Sequence, residues 1–139
     1  MKVVLDTNVF ISGVFFSGPP HRILKAWRDG KIQIVLSEKI LEEYVRVAEV
    51  LSERFPNIML GPILELLTVE AEFTSAFNLP KSVCADPDDD KFIECAIAGS
   101  AEAIISGDKH LLKVSGYHGI EVMTPRKFVD ALIGREVSR

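Results

Sequence analysis

Cysteine is scarce in this chain: Cys84 and Cys95 are the only two among 139 residues, and no second pair stands near either. Their spacing matches no zinc or redox motif, and two cysteines make a poor disulfide framework. A reducing cytoplasm is the compartment this usage points to. Basic excess is missing too. Twenty acids against sixteen lysines and arginines leave a net charge of -4, which argues against sequence-wide attraction to polyanions but leaves room for a local basic patch. No apolar run approaches the roughly 20 residues that span a bilayer. Asp6 also interrupts the first apolar run too early for a secretory leader. Low-complexity tracts are absent, and the 47% apolar and 26% charged residues are those of a folded globule. Residues 1–139 are therefore expected to form a single cytoplasmic domain outside any membrane, burying about two thirds of the surface of the unfolded chain.

What the chain does contain is a series of short, wholly apolar runs that end in polar residues. Val3-Val4-Leu5 runs straight into Asp6-Thr7-Asn8, and Ala103-Ile104-Ile105 into Ser106-Gly107-Asp108. Branched aliphatic runs without alternation suit strands covered on both faces, as in a parallel sheet. Ile32–Leu36 and Ile120–Met123 read as two more strands, with a short fifth near Glu72–Thr74. Between them, helical spacing appears over His21–Arg28, over Ser37 to about Leu51, around Gly61–Thr68, from about Asp88 to Ala98, and after Thr124-Pro125. Ser37 and Thr124 are suited to N-caps, Pro125 to a first helical position, and Gly30 and Gly99 to helix ends. Strands alternating with helices predict an α/β fold with a mostly parallel sheet of four to five strands and helices on both faces.

Four acids stand out by position. Asp6 and Asp108 end buried strands, Asp90 lies in the first turn of a helix, and Glu43 projects from the edge of an apolar helix face. In open parallel sheets ligands bind beyond the carboxyl ends of the strands. If the four converge, their repulsion raises their pKa values and opposes packing until a cation neutralises them. A hard divalent ion with oxygen ligands, Mg²⁺ or Mn²⁺, suits such a site. The chemistry would be metal-assisted hydrolysis, in which the ion activates a water and offsets charge developing on a phosphodiester. The plainer readings are helix caps for Asp88 to Asp90, a solvated charge for Glu43 and a turn for Asp108. Asp6 is hardest to read that way, because an acid directly after a buried strand has to be accommodated there.

These residues resemble the PIN-domain ribonucleases, and in particular the VapC-like toxin components of toxin-antitoxin pairs. The likeness is carried by Val4-Leu5-Asp6-Thr7-Asn8-Val9, by Ser37 with Leu41-Glu42-Glu43-Tyr44, by Asp86-Pro87-Asp88-Asp89-Asp90-Lys91-Phe92, and by Ala103 through Leu112. It implies a three-layer α/β/α sandwich and an acidic metal pocket of Asp6, Glu43, Asp90 and Asp108, with Asn8 and Ser106 orienting ligands or waters. Asp86 or Asp89 would contribute through water. It also implies Mg²⁺- or Mn²⁺-dependent endonucleolytic cleavage of RNA, usually by a homodimer, with an antitoxin protein as partner. Ser106 stands where many relatives carry Thr, so the hydroxyl is kept. Lys109, His110 and Lys113 are candidates for phosphate contact, as are Arg22, Lys25 and Arg28, although the latter group also reads as an ordinary solvated helix face.

Two alternatives follow from the same residues. A phosphatase of the haloacid-dehalogenase type would use Asp6 as nucleophile, but it wants a second aspartate two positions later, where this chain has Asn8. A catalytically silent PIN-like binding module would have little use for a full set of four acids.

Overall fold

A computed structural model describes residues 1–75 and 77–137. Five strands form one sheet: β1 (Lys2–Leu5), β2 (Gln33–Leu36), β3 (Glu72–Phe73), β4 (Ala103–Ile105) and β5 (Glu121–Met123). Their order is β3-β2-β1-β4-β5, and every pairing is parallel. The central strand is the opening apolar run, with Val3, Val4 and Leu5 fully buried. Val4 is in register with Ile104 of β4, so the two wholly apolar runs of the sequence lie side by side at the centre.

Among the described residues, six α-helices connect the strands and a seventh follows β5: α1 (Thr7–Phe15), α2 (Pro19–Arg28), α3 (Glu38–Ser52), α4 (Leu60–Glu70), α5 (Asp90–Ala98), α6 (Lys109–Leu112) and α7 (Pro125–Val137). Crossover connections take the chain from β1 through β2 to β3 in one direction, then from β3 through β4 to β5 in the other. The connecting helices accordingly fall on opposite faces. Helix α5 packs across β1, β2 and β4, while α1 packs on α2 and α3, and α2 on α7. The result is a three-layer α/β/α sandwich. Local signals explain the boundaries. Ser37 accepts the Ile40 N–H at 3.3 Å, and Thr124 accepts the Lys127 N–H at 3.2 Å. Gly30 takes the left-handed conformation just beyond α2, which a side chain would strain.

One boundary differs from the sequence reading. The acidic run does not begin α5 at Asp88. Pro87–Asp89 form a separate 3₁₀ turn, because the Asp86 carboxylate accepts the Asp88 N–H at 3.0 Å and closes the turn before the helix starts. This shift decides which aspartate faces which way. Among the described residues, no helix is long and apolar enough to cross a membrane.

Candidate active site

The strand order reverses beside β1, where the chain leaves toward β2 on one side and returns through β4 on the other. Such a reversal opens a crevice at the carboxyl ends of the two strands. Asp6 follows β1 directly, and Ser106 to Asp108 follow β4. Both acids cap the helices they precede: Asp6 Oδ1 accepts the Val9 N–H at 2.8 Å, and Asp108 Oδ1 accepts the His110 N–H at 2.8 Å. Ser106 is fully buried between them. Its hydroxyl donates to Asp6 Oδ2 and accepts the Asp108 N–H at 3.0 Å. The ends of β1 and β4 are thus tied through one side chain.

Glu43 reaches the same place from α3. The helix is fixed by the next residue, Tyr44, which is fully buried, donates its hydroxyl to the Leu5 carbonyl, and stacks on Phe10 with ring centroids 4.3 Å apart and planes 4° from parallel. Glu43 then accepts from the Thr7 hydroxyl and, at 2.9 Å, from the Lys91 ammonium. Tyr44→Phe is expected to cost about 1–3 kcal/mol, because a buried carbonyl loses its donor. Urea unfolding checks this, and a loss well below that range would remove the hydroxyl's anchoring role.

An open cleft of about 560 Å³, mouth included, lies between these elements; Asp6, Asn8, Glu43, Asp89 and Asp108 line it, with Val47, Phe92 and Leu111 as apolar wall. Three of the four acids singled out in the sequence come together here. Asp90 does not line the cleft. Its Oδ2 accepts the Ser82 hydroxyl at 2.6 Å, and its Oδ1 accepts the Cys84 N–H at 2.9 Å and the Val83 N–H at 3.2 Å. Its carboxylate is turned to the 82–84 loop because the helix begins with it, whereas Asp89 ends the 3₁₀ turn and faces the cleft. The geometry therefore exchanges the two: Asp89 stands where Asp90 was expected as ligand. Asp86 is exposed and serves its own turn.

Electrostatics separate them in the same way. Burial raises the Asp6 carboxyl despite hydrogen bonds from Ser106 and Val9, and the charges of Asp108 and Glu43 push it further. Asp89 is pushed up to about 6, first by burial and then by Asp86 and Asp108. Burial also opposes ionisation of Asp90, but its three hydrogen bonds outweigh this and hold it below the usual carboxylate value. Charge compensation is thus wanted at Asp6 and Asp89, whereas hydrogen bonds already stabilise the Asp90 carboxylate.

Among the described residues no three acids, histidines or cysteines close into an ion cage; the acids stand on the walls of an open cleft. Lys109, His110 and Lys113 are exposed on and just beyond α6 and do not line it. Arg22 and Lys25 line a different hollow, between α2 and α7. Cys84 and Cys95 are buried, and burial pushes their thiols up to about 12 and about 11, which leaves no cysteine nucleophile at neutral pH. Two residues were given no role in the sequence: Thr7, which lines the cleft, and Lys91, which lies outside its lining and pairs with Glu43. For Lys91 the available signal was its place three residues after Asp88.

A family model described as a PIN domain matches residues 2–110. An uncharacterized protein of Methanocaldococcus jannaschii is 35% identical over 144 aligned positions, which cover 94% of this chain and 90% of that protein.

Proposed function

The chain belongs to the PIN-domain family, and from that premise we propose that its acidic cleft is the site of a metal-dependent endoribonuclease. The observation that carries the reading is the meeting of Asp6, Glu43, Asp89 and Asp108 in one open cleft at the carboxyl ends of β1 and β4. An all-oxygen, carboxylate-rich donor set is suited to Mg²⁺ or Mn²⁺, and an ion that keeps several waters needs no closed protein cage. Asp6, Asp89 and Asp108 are the residues that would hold it. When bound, the ion supplies an activated water and charge neutralisation for phosphodiester hydrolysis. Ser106 fixes the spacing of Asp6 and Asp108, and Tyr44 fixes the height of α3. Asn8 presents an amide at the cleft, able to donate to a phosphate oxygen. Lys109, His110 and Lys113, exposed beyond Asp108, are candidates for positioning the RNA backbone without reading sequence.

The toxin role, an antitoxin protein that covers the cleft, and a homodimer belong to the same proposal and rest on the resemblance to VapC-like proteins. Exposed Phe16, Val50, Met59 and Val69 supply apolar surface for protein contacts. The phosphatase alternative is disfavoured by Asn8, which leaves Asp6 without a partner acid at that position.

A mixed RNA pool incubated with Mn²⁺ separates these readings. Endonucleolytic fragments are expected, their formation stopped by a chelator, with p-nitrophenyl phosphate left intact. Hydrolysis of p-nitrophenyl phosphate with RNA intact would transfer the assignment to the phosphatase, and inertness toward both would leave the silent binding module.

A further inference from the structure

The carboxyl edge of the sheet carries a second hollow beside the acidic cleft. It opens at the ends of β2 and β3, where Ser37 and Thr74 directly follow the strands, and it is as large as the cleft, about 580 Å³ with its mouth included. The two adjoin: Lys91 lines this hollow, Glu43 lines the cleft, and their side chains meet at 2.9 Å. An RNA strand that leaves the cleft on the β2 side therefore passes over the Lys91–Glu43 pair into this hollow. Several polar groups of its lining are already in use. The Ser37 hydroxyl accepts the Ile40 N–H, the Thr74 hydroxyl donates to the Leu36 carbonyl, and the Lys91 ammonium is shared by Glu43 and Asp88. Three groups remain open to a ligand: the Phe77 ring, 40% exposed, the exposed Asn78 amide, and the half-buried Glu94 carboxylate. Glu94 accepts the Leu79 N–H at 2.8 Å through Oε2, and among the described residues its Oε1 has no partner.

An aromatic face, an amide and a carboxylate around one hollow are the means by which proteins hold an unpaired base, stacking on its face and hydrogen-bonding its edge. We propose that this hollow is a base-binding subsite for the RNA strand, with Phe77 as its stacking platform and Glu94 as its specificity-determining residue for guanine. The choice of base follows from the carboxylate, which only accepts and has lone pairs to spare beside the Leu79 contact. Guanine offers two adjacent donors, its ring N–H and its exocyclic amine, to a pair of carboxylate oxygens. Adenine and cytosine set a ring-nitrogen acceptor beside their amine, and uracil flanks its one ring N–H with two carbonyls, so each turns an acceptor toward Glu94. The Asn78 amide is able to donate to the guanine carbonyl. Charge has little part in the choice, because the exposed Glu38 and Lys39 at the hollow offset each other. That the bound base neighbours the scissile phosphodiester rests on the ribonuclease reading above; that a base is bound does not.

The test uses the full chain and four short single-stranded RNAs that are identical except at one position, which is guanine, adenine, cytosine or uracil. Fluorescence anisotropy in the presence of a chelator measures binding, and fragment mapping with Mn²⁺ measures cutting. The wild type is expected to bind the guanine oligomer about tenfold more tightly than the other three, and to cut at a fixed step from that guanine. Glu94→Gln, whose side-chain carbonyl still accepts the Leu79 N–H, is expected to reduce the preference to about twofold or less. Phe77→Ala, a change at an exposed position that leaves the core intact, is expected to weaken binding of all four about tenfold. No guanine preference in either binding or cutting overturns the proposal, as does a preference that Glu94→Gln leaves intact or binding that Phe77→Ala leaves unchanged. Cutting without such a preference removes the subsite and leaves the ribonuclease standing. Guanine-selective binding with no cutting keeps the subsite and removes the ribonuclease, and inertness in both assays removes both.

Discussion

Asp6→Asn is expected to abolish Mn²⁺-dependent RNA cleavage, by at least about 100-fold, while raising the melting temperature of the metal-free protein. The two effects share a cause. Asp6 is 6% exposed, and its carboxyl is raised by burial and by the charges of Asp108 and Glu43, so the ionised form costs the fold free energy at neutral pH. The sign follows from linkage. A carboxyl whose folded pKa lies above its unfolded value binds its proton more tightly when folded, so its ionisation weakens the fold as pH rises through the folded value. Asparagine removes that cost without changing the shape. Its carbonyl still accepts the Val9 N–H, and its amide can donate to Ser106 Oγ; the Ser106 hydroxyl then loses Asp6 as its acceptor, a loss smaller than the cost of the buried charge that is removed. A gain of about 1 kcal/mol corresponds to roughly 4 °C for a chain of this size. What the amide cannot do is neutralise a divalent ion, and changes even to supporting residues of metal sites cost about 10–100-fold. Thermal melts with and without Mn²⁺, alongside a cleavage assay, measure both halves. Cleavage undiminished in Asp6→Asn would end the assignment of Asp6 as a ligand.

Strain of this kind is concentrated where the fold leaves no alternative. Asp6 and Asp108 are needed locally as helix caps, so their positions are set by the backbone before any ligand is considered. Ser106 then fixes their separation, and Tyr44 brings α3 against the end of β1. The site is assembled by structural contacts that would exist in any stable version of this fold. Only the choice of carboxylates, against their own repulsion, points to function.

Much of this was legible in the residues. The runs Val3-Val4-Leu5 and Ala103-Ile104-Ile105, apolar without alternation, mark central parallel strands, and a polar break after each marks the functional edge of the sheet. Caps at Ser37 and Thr124 place α3 and α7. Helix α1 was harder to see, because Val9, Phe10, Ile11, Gly13 and Phe15 are all buried and the helical period is lost in an apolar run. The acidic run was harder still. Asp86, Asp88, Asp89 and Asp90 are chemically alike, and which of them faces the cleft depends on a 3₁₀ turn one residue ahead of the helix. A single residue of phase rotates a helical side chain by about 100°, enough to exchange Asp89 and Asp90. Lys91 was missed because its partner Glu43 lies on another helix, 48 positions away, and no local pattern reports such a pair.

Asp90→Ala is expected to weaken the fold, by about 2–3 kcal/mol at neutral pH, and to leave Mn²⁺ affinity within about threefold of the wild type. The carboxylate is 8% exposed and accepts from Ser82, Val83 and Cys84. Ser82 is exposed and can turn to water, but the Cys84 N–H is in a buried setting and has no such exit. The carboxylate also lies in the first turn of α5, where negative charge is favoured by the helix dipole. Because its folded pKa is depressed, its contribution is complete above the ordinary value of 3.8 and lost as pH falls through the lower folded value. The gap between wild type and Asp90→Ala is therefore expected to persist from neutral pH down to about 4 and to narrow only below it, as urea unfolding across that range would report. Asp89→Asn is the counterpart. Its carboxyl, pushed up to about 6, is ionised at a cost at neutral pH, so the variant should melt no lower than the wild type and lose Mn²⁺ affinity instead. A metal defect in Asp90→Ala with a normal Asp89→Asn would restore Asp90 as the ligand and require the 3₁₀ turn to unwind when the ion binds.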